Sequence, residues 1–175
     1  PELHGRIDAI RAEMAVAQVS RALVICTTVE EADAVHALAL AYDNFWATVG
    51  VHPDTEEGEE PTLERLVALA RRPRIVAIGE TGLDYYRLNG RSLAEMEWQR
   101  ERFRVHIRAA RASGLPLVVH TRSASDDTLA ILREEGAEAA GGVFHCFTET
   151  MQVAGGALDL GLHVSVSGIP TLTPA

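Results

Sequence analysis

The sequence predicts an α/β fold of parallel strands closed as a (β/α)8 TIM barrel. Short apolar runs alternate with longer amphipathic ones along nearly the whole chain, the pattern of parallel strands joined by helical crossovers. Four successive apolar runs end in a side chain able to bind metal or move a proton: His52, Glu80, His120 and His145. Six strand candidates and an unpaired leading helix fill 175 residues, whereas an eight-unit barrel typically takes about 250. An open doubly wound sheet is the other architecture this alternation allows. On the barrel reading, residues 1–175 form a single domain that lacks its first strand and its last unit.

The elements follow in chain order. A helix around Ile7 to Val19 precedes every strand. The strand candidates are Ala22 to Thr27, Phe45 to Val51, Ile75 to Gly79, Leu115 to Val119, Gly142 to His145 and His163 to Ile169, rich in β-branched and apolar residues. Thr28 with Glu31, and Ser92 with Glu95, fit the capping box that opens a helix. Gly114, followed by Pro116, should close the long helix after Ser92; Gly136 should end the one that Ser125 starts. After Glu80 the chain is expected to turn on Gly82 and present Asp84 beside Tyr85 and Tyr86. The acidic run Thr55 to Pro61 reads as a solvated loop leading into a helix.

Composition narrows the function. The chain is 47% hydrophobic and 23% charged, as in ordinary globular proteins. Its net charge is −9, and all 16 basic residues are arginine, which argues against a broad basic face that coats nucleic acid. Two distant cysteines, Cys26 and Cys146, suggest buried, reduced thiols and a cytoplasmic location. No apolar run approaches the roughly 18 residues that span a bilayer. Neither a dinucleotide-binding GxGxxG nor a phosphate-binding GxxxxGK[ST] motif occurs.

In a parallel α/β fold the carboxyl ends of the strands share one face, where active sites are built. One histidine at a strand end is usually a hydrogen-bonded structural residue. Four such ends in register would each need a buried partner, so the set reads as a site. By contrast His36 and His106 fall in helices, His4 in the leading segment and His163 at the opposite end of its strand, and these read as structural or surface. Two imidazoles and a carboxylate suit one or two ions of Zn²⁺, Mn²⁺ or Mg²⁺. If Glu80 bridged two ions about 3.5–4 Å apart, they could activate water and clamp a phosphoryl oxygen. Arg122, two positions after His120, could hold a phosphate or form a surface ion pair. Asp84 could orient a ligand or only shape a turn. Tyr85 and Tyr86 could stack a base, although packing at the barrel rim is the plainer reading.

Val49–Pro53 (VGVHP), Ile78–Tyr86 (IGETGLDYY), Pro116–Ala124 (PLVVHTRSA), Gly142–Thr148 (GVFHCFT) and Val164–Ile169 (VSVSGI) together resemble the TatD family of metal-dependent deoxyribonucleases. The resemblance covers nearly the whole chain, with several motifs in order. It implies a TIM-barrel metallohydrolase of the amidohydrolase superfamily that cleaves DNA phosphodiesters, in some members as a 3′-to-5′ exonuclease. It makes Glu80, His120 and His145 metal ligands, with Glu80 bridging, and puts His52 and Arg122 on the substrate side. DNA ends are the implied substrate; neither a membrane nor a stable protein partner is expected. The family also uses a His-x-His pair on its first strand, absent from this sequence, and a catalytic aspartate on its eighth strand, expected beyond Ala175. Without both, the 175 residues are not expected to be a competent hydrolase by themselves. A superfamily relative acting on esters, lactones or amides, and a non-catalytic metal- or phosphate-binding protein, are the competing readings.

Overall fold

A computed structural model describes residues 4–168. Its elements are α1 (Ile7–Val16), β1 (Ala22–Val24), α2 (Ala32–Ala41), β2 (Phe45–Val49), α3 (Leu63–Ala70), β3 (Ile75–Asp84), α4 (Glu97–Ser113), β4 (Leu117–Arg122), α5 (Ser125–Glu134), β5 (Gly142–Phe144), α6 (Met151–Asp159) and β6 (His163–Val164). The six described strands form one sheet in the order β1-β2-β3-β4-β5-β6, every neighbouring pair parallel. Strand order never reverses. A doubly wound sheet must reverse at its switch point, so the sheet is a curled half-barrel, the barrel alternative.

Packing follows the apolar stripes. Phe103 and Ile107 of α4 are fully buried, as are Ile78 and Leu83 of β3, Leu117 of β4, Leu132 of α5 and Phe144 of β5. They belong to one continuous core between sheet and helices. Several expected helix ends are realised. Ser92 and Glu95 form both halves of their capping box, and Gly114 ends α4 in the left-handed region at φ 67. At Thr28 only half a box forms: Thr28 accepts from the Glu31 N–H, the Glu31 carboxylate turns to Thr27, and α2 starts one residue later. No helix among the described residues is long and apolar enough to cross a membrane. Both cysteines are free, Cys26 buried and Cys146 partly so.

Several strand boundaries depart from expectation, and that of β3 matters most. The chain does not turn at Gly82: β3 runs on through Gly-Glu-Thr-Gly-Leu to Asp84. Pairing with β4 resumes at Thr81–Val119, Gly82–His120 and Asp84–Arg122, after one extra residue on β3 between Ile78 and Thr81. This is a β-bulge, a device that re-aims a side chain. The Glu80 N–H leaves the ladder and donates to the Cys26 carbonyl instead. Gly82, at φ 126, lies so close to β4 that a Cβ there would run into the His120 carbonyl oxygen. Close approach, not a turn, explains the glycine. β4 likewise continues to Arg122, so His120 and Arg122 lie within a strand. β1 and β6 are shorter than expected; β1 stops because the Cys26 N–H is taken by the Thr48 hydroxyl. The expected end of the last strand, Ile169, lies outside the described residues.

Candidate metal centre

Glu80 on β3, His120 on β4 and His52, three residues past β2, converge. Each presents one donor atom within 4.8 Å of the other two. Glu80 Oε1 is 3.4 Å from His120 Nδ1 and 3.9 Å from His52 Nε2. The imidazoles meet edge-on, centroids 4.6 Å apart. All three side chains are partly exposed, so the cluster is open to solute.

Hydrogen-bond partners assign the protons. Asp84 Oδ2 lies 3.0 Å from His120 Nε2. A carboxylate only accepts, so Nε2 carries a proton toward Asp84; Nδ1, which donates to Glu80 when the ring is protonated, is the nitrogen that the neutral ring would offer a cation. A carboxylate behind one nitrogen of an imidazole, with the other left bare, is the usual arrangement at a metal-bound histidine. Two donor atoms bound at about 2.1 Å in tetrahedral geometry stand roughly 3.4 Å apart, which is the Glu80–His120 separation. These two residues therefore fit a divalent ion. His52 is different: its Nδ1 accepts the Asp54 N–H at 3.1 Å, so the neutral ring carries its proton on Nε2 and offers a donor toward the cluster.

The charge balance agrees. Burial is the largest influence on Glu80 and raises its pKa, but the His120 hydrogen bond and the His52, His120 and His145 rings outweigh it, leaving the carboxyl below its ordinary value. Burial and the neighbouring His120 lower His52 and keep it neutral. His120 is raised: burial opposes protonation, but its bonds and charges with Glu80 and Asp84 prevail. His145 lies one residue beyond β5, exposed, its N–H donating to the Val119 carbonyl. It acts on Glu80 electrostatically without joining the 4.8 Å group.

Asp84 is 5% exposed and uses both carboxylate oxygens, one on His120 and one on the Tyr86 N–H. Asn has a single acceptor oxygen, so Asp84→Asn must lose one of these bonds. A 10- to 100-fold fall in metal affinity is expected, roughly the effect of losing such a supporting partner, with little change in melting temperature. Mn²⁺ titration calorimetry checks it; unchanged affinity would remove Asp84 from the site.

Around this cluster lies a stripe of buried polar residues on α4, Gln99, Arg102 and His106; the sequence reading missed the first two and had His106 only as a structural or surface helix residue. The Gln99 amide pairs with the Asp84 backbone, accepting from its N–H and donating to its carbonyl. Arg102 donates to the His52 and Thr55 carbonyls and pairs with Glu60. His106 Nε2 accepts the Val51 N–H. One helix face thus fixes the backbone on both sides of the cluster. A signal existed, because continuing the Phe103–Ile107–Ala110 stripe at helical spacing leads to all three positions. The acidic run is also more than a solvated loop, since Glu56 takes Arg91 bidentately and its carboxyl falls to about 2, chiefly through that bond.

A carboxylate and imidazoles at the strand ends of a parallel half-barrel agree with the family comparison. The profile described as TatD related DNase matches residues 1–175. The chain belongs to the TatD family. It is 41% identical over 173 residues to an "Uncharacterized metal-dependent hydrolase YcfH" of Escherichia coli, covering 99% of this chain and 63% of that protein. It is 39% identical over 166 residues to the "3'-5' ssDNA/RNA exonuclease TatD" of Cronobacter turicensis, covering 94% and 61%. The crystal structure of YjjV, a TatD homologue from Escherichia coli, superposes with a TM-score of 0.83 at 30% identity, covering 94% of this chain and 62% of that one. The chain thus spans under two thirds of the length of these TatD relatives.

Proposed function

We propose that the full-length protein is a divalent-metal-dependent hydrolase that trims DNA ends, releasing nucleotides in the 3′-to-5′ direction. The observation that carries this reading is Glu80 held 3.4 Å from Nδ1 of His120, with Asp84 behind the imidazole. Glu80 and His120 hold the ion, with His145 as a further ligand from the next strand. A divalent ion at such a site neutralises phosphoryl oxygens and makes water a stronger nucleophile at neutral pH. His52 donates from Nε2 to a phosphate oxygen, and Arg122, two residues along β4 from His120, adds positive charge on the substrate side. The exonuclease name carried by the Cronobacter relative supports the choice of substrate.

The test is nucleotide release from a short single-stranded DNA by the full-length protein, in Mg²⁺ and in EDTA, with simple esters assayed in parallel. Release in Mg²⁺ alone is the expected result. Ester turnover without nucleotide release would replace DNA with a carbonyl substrate, a reading the broader name of the YcfH relative allows.

A further inference from the structure

Tyr85 and Tyr86 are neighbours with opposite surroundings. Tyr85 is buried; its hydroxyl donates to Asp127 and accepts from Arg100. Tyr86 is 60% exposed, and the Arg122 guanidinium lies over its ring, 3.6 Å from the centroid. Packing at the rim, the plainer reading of the sequence, accounts for Tyr85 and not for Tyr86. An exposed aromatic ring leaves apolar surface in water, and a stacked guanidinium keeps its outer face and its donors free.

Arg122 also differs from the arginines around it. Arg87 pairs with Asp54, Arg91 with Glu56, Arg100 with Glu97 and Asp127, and Arg102 with Glu60. No ion pair of Arg122 is found among the described residues, in a chain with 25 acidic side chains. Its place is defined: Arg122 pairs in register with Asp84, and the Asp84 carboxylate that touches His120 also receives the Tyr86 N–H. Arg122 stands two residues past His120 on β4, roughly 6.6 Å along the strand. The stack therefore lies within one nucleotide's reach of the candidate metal centre.

We propose that Tyr86 and Arg122 form a stacking platform for the unpaired nucleobase adjoining the scissile phosphate. The inference rests on the nuclease reading above and adds what the site recognises: a base face, whatever the base. Aromatic rings and guanidinium planes stack on bases without reading their sequence. A base inside a duplex has no free face, so the platform favours single-stranded ends.

The test measures equilibrium binding by fluorescence anisotropy, using the full-length protein and a short single-stranded DNA with a phosphorothioate terminal linkage. The comparison strand lacks the terminal base. Tyr86→Ala is expected to weaken binding of the base-bearing strand by roughly 5- to 100-fold, the usual effect of removing a stacking aromatic. Binding of the abasic strand is expected to stay unchanged, and Tyr86→Phe to behave as the parent protein. With cleavable DNA, KM is expected to rise by a similar factor at constant kcat. Equal losses on both strands, no loss on the base-bearing one, or a parent protein that does not distinguish the strands would each overturn the platform. Failure of the parent protein to release nucleotides in Mg²⁺ would instead strike the nuclease reading, so the two failures are separable.

Discussion

Glu80→Gln is expected to abolish metal-dependent nucleotide release while leaving the fold intact. Gln keeps the shape of Glu and removes its charge, and that charge links the cluster, 3.4 Å from His120 Nδ1 and 3.9 Å from His52 Nε2. Holding a carboxylate ionised in a half-buried position costs desolvation that the surrounding histidines offset. Such an arrangement contributes little to folding and much to holding a cation. The Glu80 backbone remains fixed through its N–H to the Cys26 carbonyl, which the substitution does not touch. Turnover should fall at least about a thousandfold, the upper range for losing one essential charge-stabilising group. The measurement is initial-rate nucleotide release in Mg²⁺, paired with Mn²⁺ titration and a thermal melt. Undiminished release from a well-folded variant would end the metal-site reading. Lost release together with a lowered melting temperature would show that Glu80 serves structure.

The legible part of the site was its strand ends, and the reason is local. Runs such as Ile75 to Gly79 and Leu115 to Val119 are apolar enough to mark buried strands, so the polar residue after each one is conspicuous. The same rule misplaced the ends of β3 and β4, because it stops a strand at its first polar residue. Thr81 and Asp84 are buried polar residues inside β3, and the bulge that lifts Glu80 out of the ladder depends on the register of β4. Local sequence does not carry that register. Proton positions were out of reach for a similar reason. His52 Nδ1 is made an acceptor by the Asp54 N–H and His120 Nε2 a donor by the Asp84 carboxylate, the second of which lies on another strand. The contrast between Tyr85 and Tyr86 likewise appears only once α5 brings Asp127 to one ring and β4 brings Arg122 to the other.

Folding stability is expected to fall by about 3 kcal/mol between pH 6.5 and pH 4, over and above ordinary acid effects, and His106→Gln is expected to remove that slope. His106 is wholly buried. Its Nδ1–H donates to the Arg102 carbonyl one helical turn back, and its Nε2 accepts the Val51 N–H. That second bond requires an unprotonated nitrogen, so the fold holds the ring neutral. Burial, reinforced by the Arg102 charge, brings its pKa down from 6.5 to about 4, despite the hydrogen bond to the Arg102 carbonyl. Because the folded value is the lower one, the unfolded chain takes up the proton first as pH falls. Stability is then complete above about pH 6.5, declines through the interval and levels off below about pH 4. At about 1.36 kcal/mol per unit, the 2.5 units between 6.5 and 4 give the 3 kcal/mol. Urea melts of parent and variant at several pH values isolate the effect, since carboxylate titration is common to both. The variant should be less stable than the parent at pH 7 by about 2 kcal/mol, through imperfect satisfaction of buried backbone groups, yet more stable than it by about 1 kcal/mol at pH 4. Parallel pH profiles would show that His106 does not carry the proton linkage. Because Val51 precedes His52 in the chain, loss of the acid slope together with DNA affinity in the variant would identify this buried ring as the support that sets His52 in place.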